Sequence, residues 1–237
     1  MHSRAAEHAP GTLASAAYSR LRDEIISTEI APGTRLRTRQ LCARYEMGLS
    51  PIREALSRLS SEGLVVQSDQ RGFTVAPLSA ADLAELTRTR TWLNETGLRE
   101  SIAHGGQDWE EALLLAFHRL SRIPRFGEGI GPRNPAWDAA HRHFHRCLIA
   151  GCRSGWLLGF CDQLFDAFER YRNLSAFTPR TRPDHVGEHE ALTRAALARR
   201  AEEAAQLLRA HFALSAELAL GHLPPEVPPA RPRGERG

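Results

Sequence analysis

From Ser79 to Gly221 apolar residues recur at helical spacing almost without interruption, and no further pair of β-prone runs breaks the pattern. Helices in water draw most of their stability from packing an apolar face against a neighbour, so this stretch is expected to fold as a bundle. Gly and Pro punctuation divides it into six or seven helices, at about 80–103, 108–122, 135–150, 155–171, 184–199 and 201–221.

The residues before Ser79 follow a different rule. Leu13, Ala17, Leu21 and Ile25 recur every four residues and predict a first helix, which Ala31-Pro32-Gly33 is expected to stop. Thr38 is expected to cap a short second helix through Tyr45. Ser50-Pro51, an N-cap followed by proline, opens a third helix whose apolar stripe is Ile52, Ala55, Leu56 and Leu59, ended by Gly63. Leu64-Val65-Val66 and Phe73-Thr74-Val75, joined by Ser68 to Gly72, then read as a hairpin that Pro77 closes. The expected fold is therefore mainly α: an N-terminal winged helix-turn-helix over residues 11–77 and an all-helical bundle over 79–221. The ends, 1–10 and the Pro-, Gly- and Arg-rich 222–237, are expected to be disordered.

Composition removes several classes. With 42% apolar and 25% charged residues the chain is not disordered throughout, and no run approaches about 18 consecutive apolar residues, so no membrane span is expected. Met1 to Pro10 lacks the apolar segment of an export signal, which predicts a cytoplasmic location. Cys42, Cys147, Cys152 and Cys161 form no CxxC pair and read as reduced, mostly buried thiols. The net charge of +3 is too small to establish nucleic-acid binding, although all 31 basic residues are Arg, whose planar fork suits phosphate, guanine and carboxylate.

Three short helices with a tight turn before the third, followed by a hairpin, place that third helix in a major groove. Arg53 in its first turn, Arg58 further along it, Arg39 at the start of the second helix and Arg71-Gly72 at the hairpin tip can all approach a duplex. Any one of these arginines is equally accounted for as a solvated surface residue. Nine arginines face seven acids between Gly11 and Pro77, so their placement rather than total charge carries the reading.

In the second half, His141 and His145 lie four apart on one expected helix, and His189 and His211 lie on two later ones. Four imidazoles on three helices can converge on Zn, Ni, Cu or Fe, although with 11 His in the chain an HxxxH pair also arises by chance. A metal-dependent hydrolase would need a general base beside such a site, as the Glu of HExxH supplies, but Arg142 follows His141. GxSxG, GxxxxGK[ST] and GxGxxG in context are missing too, so an enzyme is not expected.

The stretch from "LRDEIISTEIAPGTRLRTRQLCARYEMGLSPIREALSRLSSEGLVV" to "RGFTVAPLSAADLAEL" resembles the DNA-binding domain of GntR-type bacterial transcription regulators. The shared features are PG-x-x-L, P-[IV]-REAL-x-RL-x-x-EGL and RGF-x-V. The resemblance implies that Arg39 and Arg53 contact operator DNA, that Ser50 starts the recognition helix, and that Arg71-Gly72 forms the wing tip. Where the family commonly has Ser-Arg before the position of Ser50, this chain has Gly48-Leu49, so operator sequence does not carry over.

The segments "RTWLNETGLRESIAHGG", "HRHFHRCLIAGCRSGWLL" and "EHEALTRAALARRAEEAAQLLRAHFALS" resemble the effector-binding FCD domain of the FadR-like subfamily. Many of its members hold a divalent metal with an Asp-x-x-x-His pair and two later His. His145, His189 and His211 fall on the histidine positions, and His141 replaces the Asp, so that either four His bind or Asp138 substitutes one turn earlier. Zinc is the first expectation, with nickel or manganese as alternatives. Arg90 stands where such domains keep a cavity-facing Arg, and Asn94 where Glu is commoner. Together these imply a regulator, read as a repressor, that binds a double-stranded operator as a homodimer and responds to a small carboxylate or dicarboxylate. The chain looks most similar to the CsiR-like subgroup, that of the carbon-starvation-induced repressor, which responds to glutarate.

Overall fold

A computed structural model describes residues 12–68, 72–126, 134–174 and 185–223. Thr12 starts the first helix by accepting from the Ser15 N–H at 3.2 Å, and α1 runs Leu13–Ile26. It stops before Ala31-Pro32-Gly33, because Thr28 turns left-handed (φ 63°) and the Ile30 N–H reaches back to the Glu24 carbonyl at 3.0 Å. A strand not expected from the sequence follows, β1 (Arg35–Leu36), too short to carry an alternating pattern.

The next two helices are capped one and two residues earlier than their sequences predict. Arg37 and not Thr38 is the N-cap of α2 (Thr38–Tyr45), and it makes no side-chain cap. Gly48 and not Ser50 is the N-cap of α3 (Leu49–Ser61). Pro51 then lies third in α3, where its missing N–H costs nothing because first-turn donors have no helical partner. Gly63 (φ 75°) turns the chain into β2 (Val65–Ser68), which pairs antiparallel with β3 (Gly72–Val75), Val65 opposite Val75 and Ser68 opposite Gly72. β1 adds to the other edge of β3, giving the order β1-β3-β2. Leu21, Ile25, Leu41, Ile52, Leu56, Leu59 and Val75 fill the core of this winged unit.

The rest of the described chain is helical: α4 (Ala80–His104), α5 (Gln107–Arg122), α6 (Pro135–Ile149), a 3-10 turn (Ala150–Cys152), α7 (Gly155–Leu174), α8 (His185–Leu197) and α9 (Ala201–Leu220). Ser79 caps α4 and Asn134 caps α6 through their side chains, with Pro135 at the favoured first position. Leu98, Trp109, Leu113, Phe144, Leu148, Leu192, Leu208 and Phe212 form the bundle core, and the Trp109 indole donates to the Cys147 carbonyl at 2.9 Å. The architecture is mainly α with a winged helix-turn-helix and a helical bundle, as the sequence predicts. Residues 1–10, the tip residue Arg71 and residues 224–237 lie outside the described residues, whereas His222 and Leu223, expected in the disordered tail, form the turn that closes α9, their N–H groups reaching the Ala219 and Leu220 carbonyls at 3.1 and 3.2 Å.

α7 joins the two units. Its Asp166 accepts from Arg22 of α1 and from Arg142 of α6, its Asn173 amide donates to the Ile26 carbonyl at 2.6 Å, and its Arg170 donates to the Ala76 carbonyl. Tyr171 of the same helix accepts from the Ser79 N–H at 3.3 Å and donates to Asp82, fixing the start of α4.

Helices pack closely at Gly97 of α4, where a Cβ would meet Leu157 Cδ2 at 2.9 Å and Ile149 Cβ at 3.2 Å. Gly159 of α7 has open space around it. Gly97→Ala is therefore expected to lower stability by about 1–3 kcal/mol through overpacking. Gly159→Ala should raise it by about 0.5–1 kcal/mol through helix propensity. Thermal melts of the two variants beside the parent check both signs.

Candidate metal centre and nucleic-acid interface

α6 carries His141 and His145 one turn apart on its buried face, α8 brings in His189 and α9 brings in His211. All four are buried, and one ring nitrogen of each lies within 4.8 Å of the others. The Nε2 atoms of His141 and His145 are 3.1 Å apart. Among the described residues this is the one group of His, Cys, Asp or Glu so arranged.

The surroundings orient the rings. His189 Nδ1 donates to the His185 carbonyl, and His211 Nδ1 donates to Glu188 Oε2 at 2.8 Å. Each bond leaves Nε2 with the lone pair, the outer-shell arrangement that characterises metal-bound imidazole. His145 Nδ1 is buried without a hydrogen-bond partner. His141 differs, since Arg172 donates to its Nδ1 at 2.8 Å while also reaching Glu169 and, at 3.0 Å, Asp138. Asp138 is thus engaged by Arg172 and stands outside the four-nitrogen group.

Burial, with the Arg172 guanidinium next in weight, holds the His141 pKa well below the ordinary histidine value. Burial and then His211 and His189 do the same to His145. Both rings are neutral near pH 7, the form that offers a lone pair to a cation. Nitrogen donors, a deprotonated state and outer-shell acceptors all fit a divalent metal of the zinc or nickel kind.

A narrow cavity of about 20 Å³ opens against His141, His189 and His211, with Arg90, Arg125 and Arg172 in its wall. That volume admits a water or an ion and no more. Arg90 is buried, its guanidinium 3.8 Å from the centroid of Phe212 and 4.4 Å from that of Phe168. Asn94 is buried as well, but its amide donates to the Arg90 carbonyl at 2.9 Å and it does not line this cavity.

Arg125, Arg172, Glu169 and Glu188 are site residues that sequence spacing missed. His185 is half-buried with its ring edge-on to Trp137 at 5.7 Å. His143, between His141 and His145 on α6, is exposed. Nearby, Cys147, Cys152 and Cys161 are buried and unbridged, and burial pushes the Cys161 thiol up to about 12 and raises that of Cys147.

On the winged unit, Arg39 of α2 and Ser50 and Arg53 of α3 are exposed at the starts of their helices. Arg58 is exposed too, but its guanidinium lies 4.0 Å above the Tyr18 ring, whose hydroxyl donates to Glu62 at 2.9 Å. Arg58 is therefore shared between α1 and the outer surface. Gly72 (φ 79°) begins β3 in a conformation that favours glycine. No helix among the described residues is long and apolar enough to cross a membrane.

Comparison with known proteins agrees with both halves. Residues 13–75 match the model of the bacterial regulatory proteins of the gntR family, and residues 85–214 match the FCD domain. The chain is 38% identical to the uncharacterized HTH-type transcriptional regulator BphR of Paraburkholderia xenovorans, covering 85% of this chain and 82% of that one. It is 34% identical to the HTH-type transcriptional repressor GlaR of Escherichia coli, covering 82% and 90% respectively. A crystal structure of a GntR regulator from Rhodococcus sp. RHA1 shares the fold, with a TM-score of 0.69 at 23% identity over 89% of this chain and 99% of that one. Escherichia coli McbR/YncC does so as well, with a TM-score of 0.70 at 19% identity over 88% and 99%. The chain belongs to the GntR family of bacterial transcription regulators, with an N-terminal DNA-binding domain and a C-terminal FCD domain.

Proposed function

We propose that this DNA-binding regulator is a cytoplasmic, non-enzymatic repressor that sits as a homodimer on a two-fold operator and leaves it when a small dicarboxylate binds beside a metal in the helical bundle. The single observation that carries the effector half is the buried group of His141, His145, His189 and His211. These four residues would hold the ion, zinc first and nickel or manganese otherwise, with Glu188 and the His185 carbonyl orienting two of them. A bound divalent cation supplies a Lewis-acidic anchor for one carboxylate. Arg90, Arg125 and Arg172 in the wall of the same cavity supply charge for a second carboxylate. Asn94 steadies the Arg90 turn of α4. A five-carbon diacid, glutarate, is the effector that the resemblance to the CsiR-like subgroup favours, and the relative named as a repressor supports the repressing sense.

The division of labour follows the two units, residues 11–77 on DNA and 79–221 on effector. Arg39, Ser50 and Arg53 face the operator, Arg58 contributes from the flank of α3, and Gly72 contributes from the wing, to which the sequence alone assigns Arg71 as well. A cavity of about 20 Å³ cannot take a five-carbon diacid without displacing side chains of its wall, which include Phe168, Glu169 and Arg172 of α7. Other α7 side chains, Asp166, Arg170 and Asn173, grip α1 and the segment after β3. Effector entry at one face of this helix therefore loads the contacts that set the winged unit's placement. Linkage then requires operator and effector to weaken each other's binding by the same factor.

Thermal melts across C3 to C6 mono- and dicarboxylates should show the largest shift with a C5 diacid, about 2.7 kcal/mol at 100 times its Kd. The shift should vanish on chelation, return with Zn, Ni or Mn, and be absent in His189→Ala. No response of metal-loaded protein to any acid would overturn the effector reading and leave the DNA-binding function standing. Glu188→Gln is expected to weaken metal binding about 10- to 100-fold in chelator competition. Asn173→Ala should leave effector affinity of the free protein intact while shrinking the effector's influence on operator affinity, read from titrations of each ligand with and without the other.

A further inference from the structure

Leu49 is the first residue of α3 and is 54% exposed. The core of the winged unit is complete without it: α3 contributes Ile52, Ala55, Leu56 and Leu59, and Met47 covers the nearby edge. On the helix surface Leu49 stands one turn from Arg53 and next to Ser50, and all three are exposed. An aliphatic side chain thus occupies the leading corner of the helix that reads DNA.

The residue before it points the same way. Gly48 has an ordinary φ of −67°, and a Cβ built there would meet nothing closer than Pro51 Cδ at 3.9 Å. Neither backbone conformation nor crowding within the chain calls for glycine at this cap. Glycine is an ordinary N-cap residue, and the open space around this one leaves room for an outside surface to approach the backbone beside Leu49.

N-terminal residues of a recognition helix meet base edges in the major groove. Guanine, cytosine and adenine offer hydrogen-bonding groups there that a leucine leaves unsatisfied, whereas thymine adds an apolar C5 methyl. We infer that Leu49 is a specificity-determining residue that selects a T·A pair in each operator half-site by burying the thymine methyl. The inference rests on α3 being the DNA-reading helix, and the experiment separates the two.

The full-length chain is used to select duplexes from a randomised library, in parallel with Leu49→Ala and Leu49→Arg. Because the side chain is exposed, both variants should melt with the parent, which confirms their fold. The parent should fix thymine at one position of each half-site, Leu49→Ala should lose that preference alone, and Leu49→Arg should replace it by guanine, whose O6 and N7 match a guanidinium. Replacing the selected thymine by uracil removes only the methyl. Parent affinity should then fall about fourfold, the equivalent of one methyl-sized group returned to water, while Leu49→Ala is unaffected. An unchanged motif in both variants, or no loss with uracil, overturns the assignment of Leu49. Selection of no DNA by the parent would instead overturn α3 as the reading helix.

Discussion

Four imidazole rings can share one small interior only while they are uncharged, and much of the bundle is arranged around that constraint. With ligand nitrogens within 4.8 Å of one another, two protonated rings would repel strongly in a medium poorer than water. Burial and Arg172 both disfavour protonation at His141, and burial with the other rings does so at His145. The surrounding carboxylates, Glu188 on His211 and Glu169 and Asp138 on Arg172, stand one layer out, where they orient and neutralise without entering the cluster. Residues of α6 and of the later pair α8 and α9 meet in this cluster, which sits against the apolar core that packs the three helices together.

How much of this was legible beforehand depended on the range of the interaction. The helices of the bundle and the winged unit were readable because each rests on local spacing, such as the four-residue recurrence from Leu13 to Ile25 or the stripe Ile52 to Leu59. The histidine pair on α6 was readable for the same reason. Its outer shell was not, because Arg172 lies 31 residues from His141 and Glu188 lies 23 from His211, and no local pattern marks such pairs. The N-caps lie one residue before Thr38 and two before Ser50, so that good capping side chains sit just inside helices that begin at plainer caps. β1 escaped notice because two residues carry no periodicity, and its strand character comes wholly from β3 beside it.

α7 shows how one helix can belong to two units. Glu169 and Arg172 face the histidines while Asp166, Arg170 and Asn173 face the winged unit, so its sequence answers to both interiors. Its buried polar groups are correspondingly many, and each is tied to a partner on another element or to a neighbouring charge. Rotating or sliding such a helix cannot relieve one side without disturbing the other.

The chemistry of the thiols sets a further limit on what the bundle can sense. Three cysteines are buried within it, and burial holds Cys161 up to about 12 with Cys147 raised as well, so these two carry almost no thiolate at neutral pH. The histidine cluster contains no sulfur donor at all. Thiolate is the nucleophile that attacks peroxide or a disulfide, and neither the histidine cluster nor these two thiols presents one at neutral pH. Burial thus makes Cys161 and Cys147 poor sites of oxidation, and the four histidines beside them offer no sulfur to oxidise.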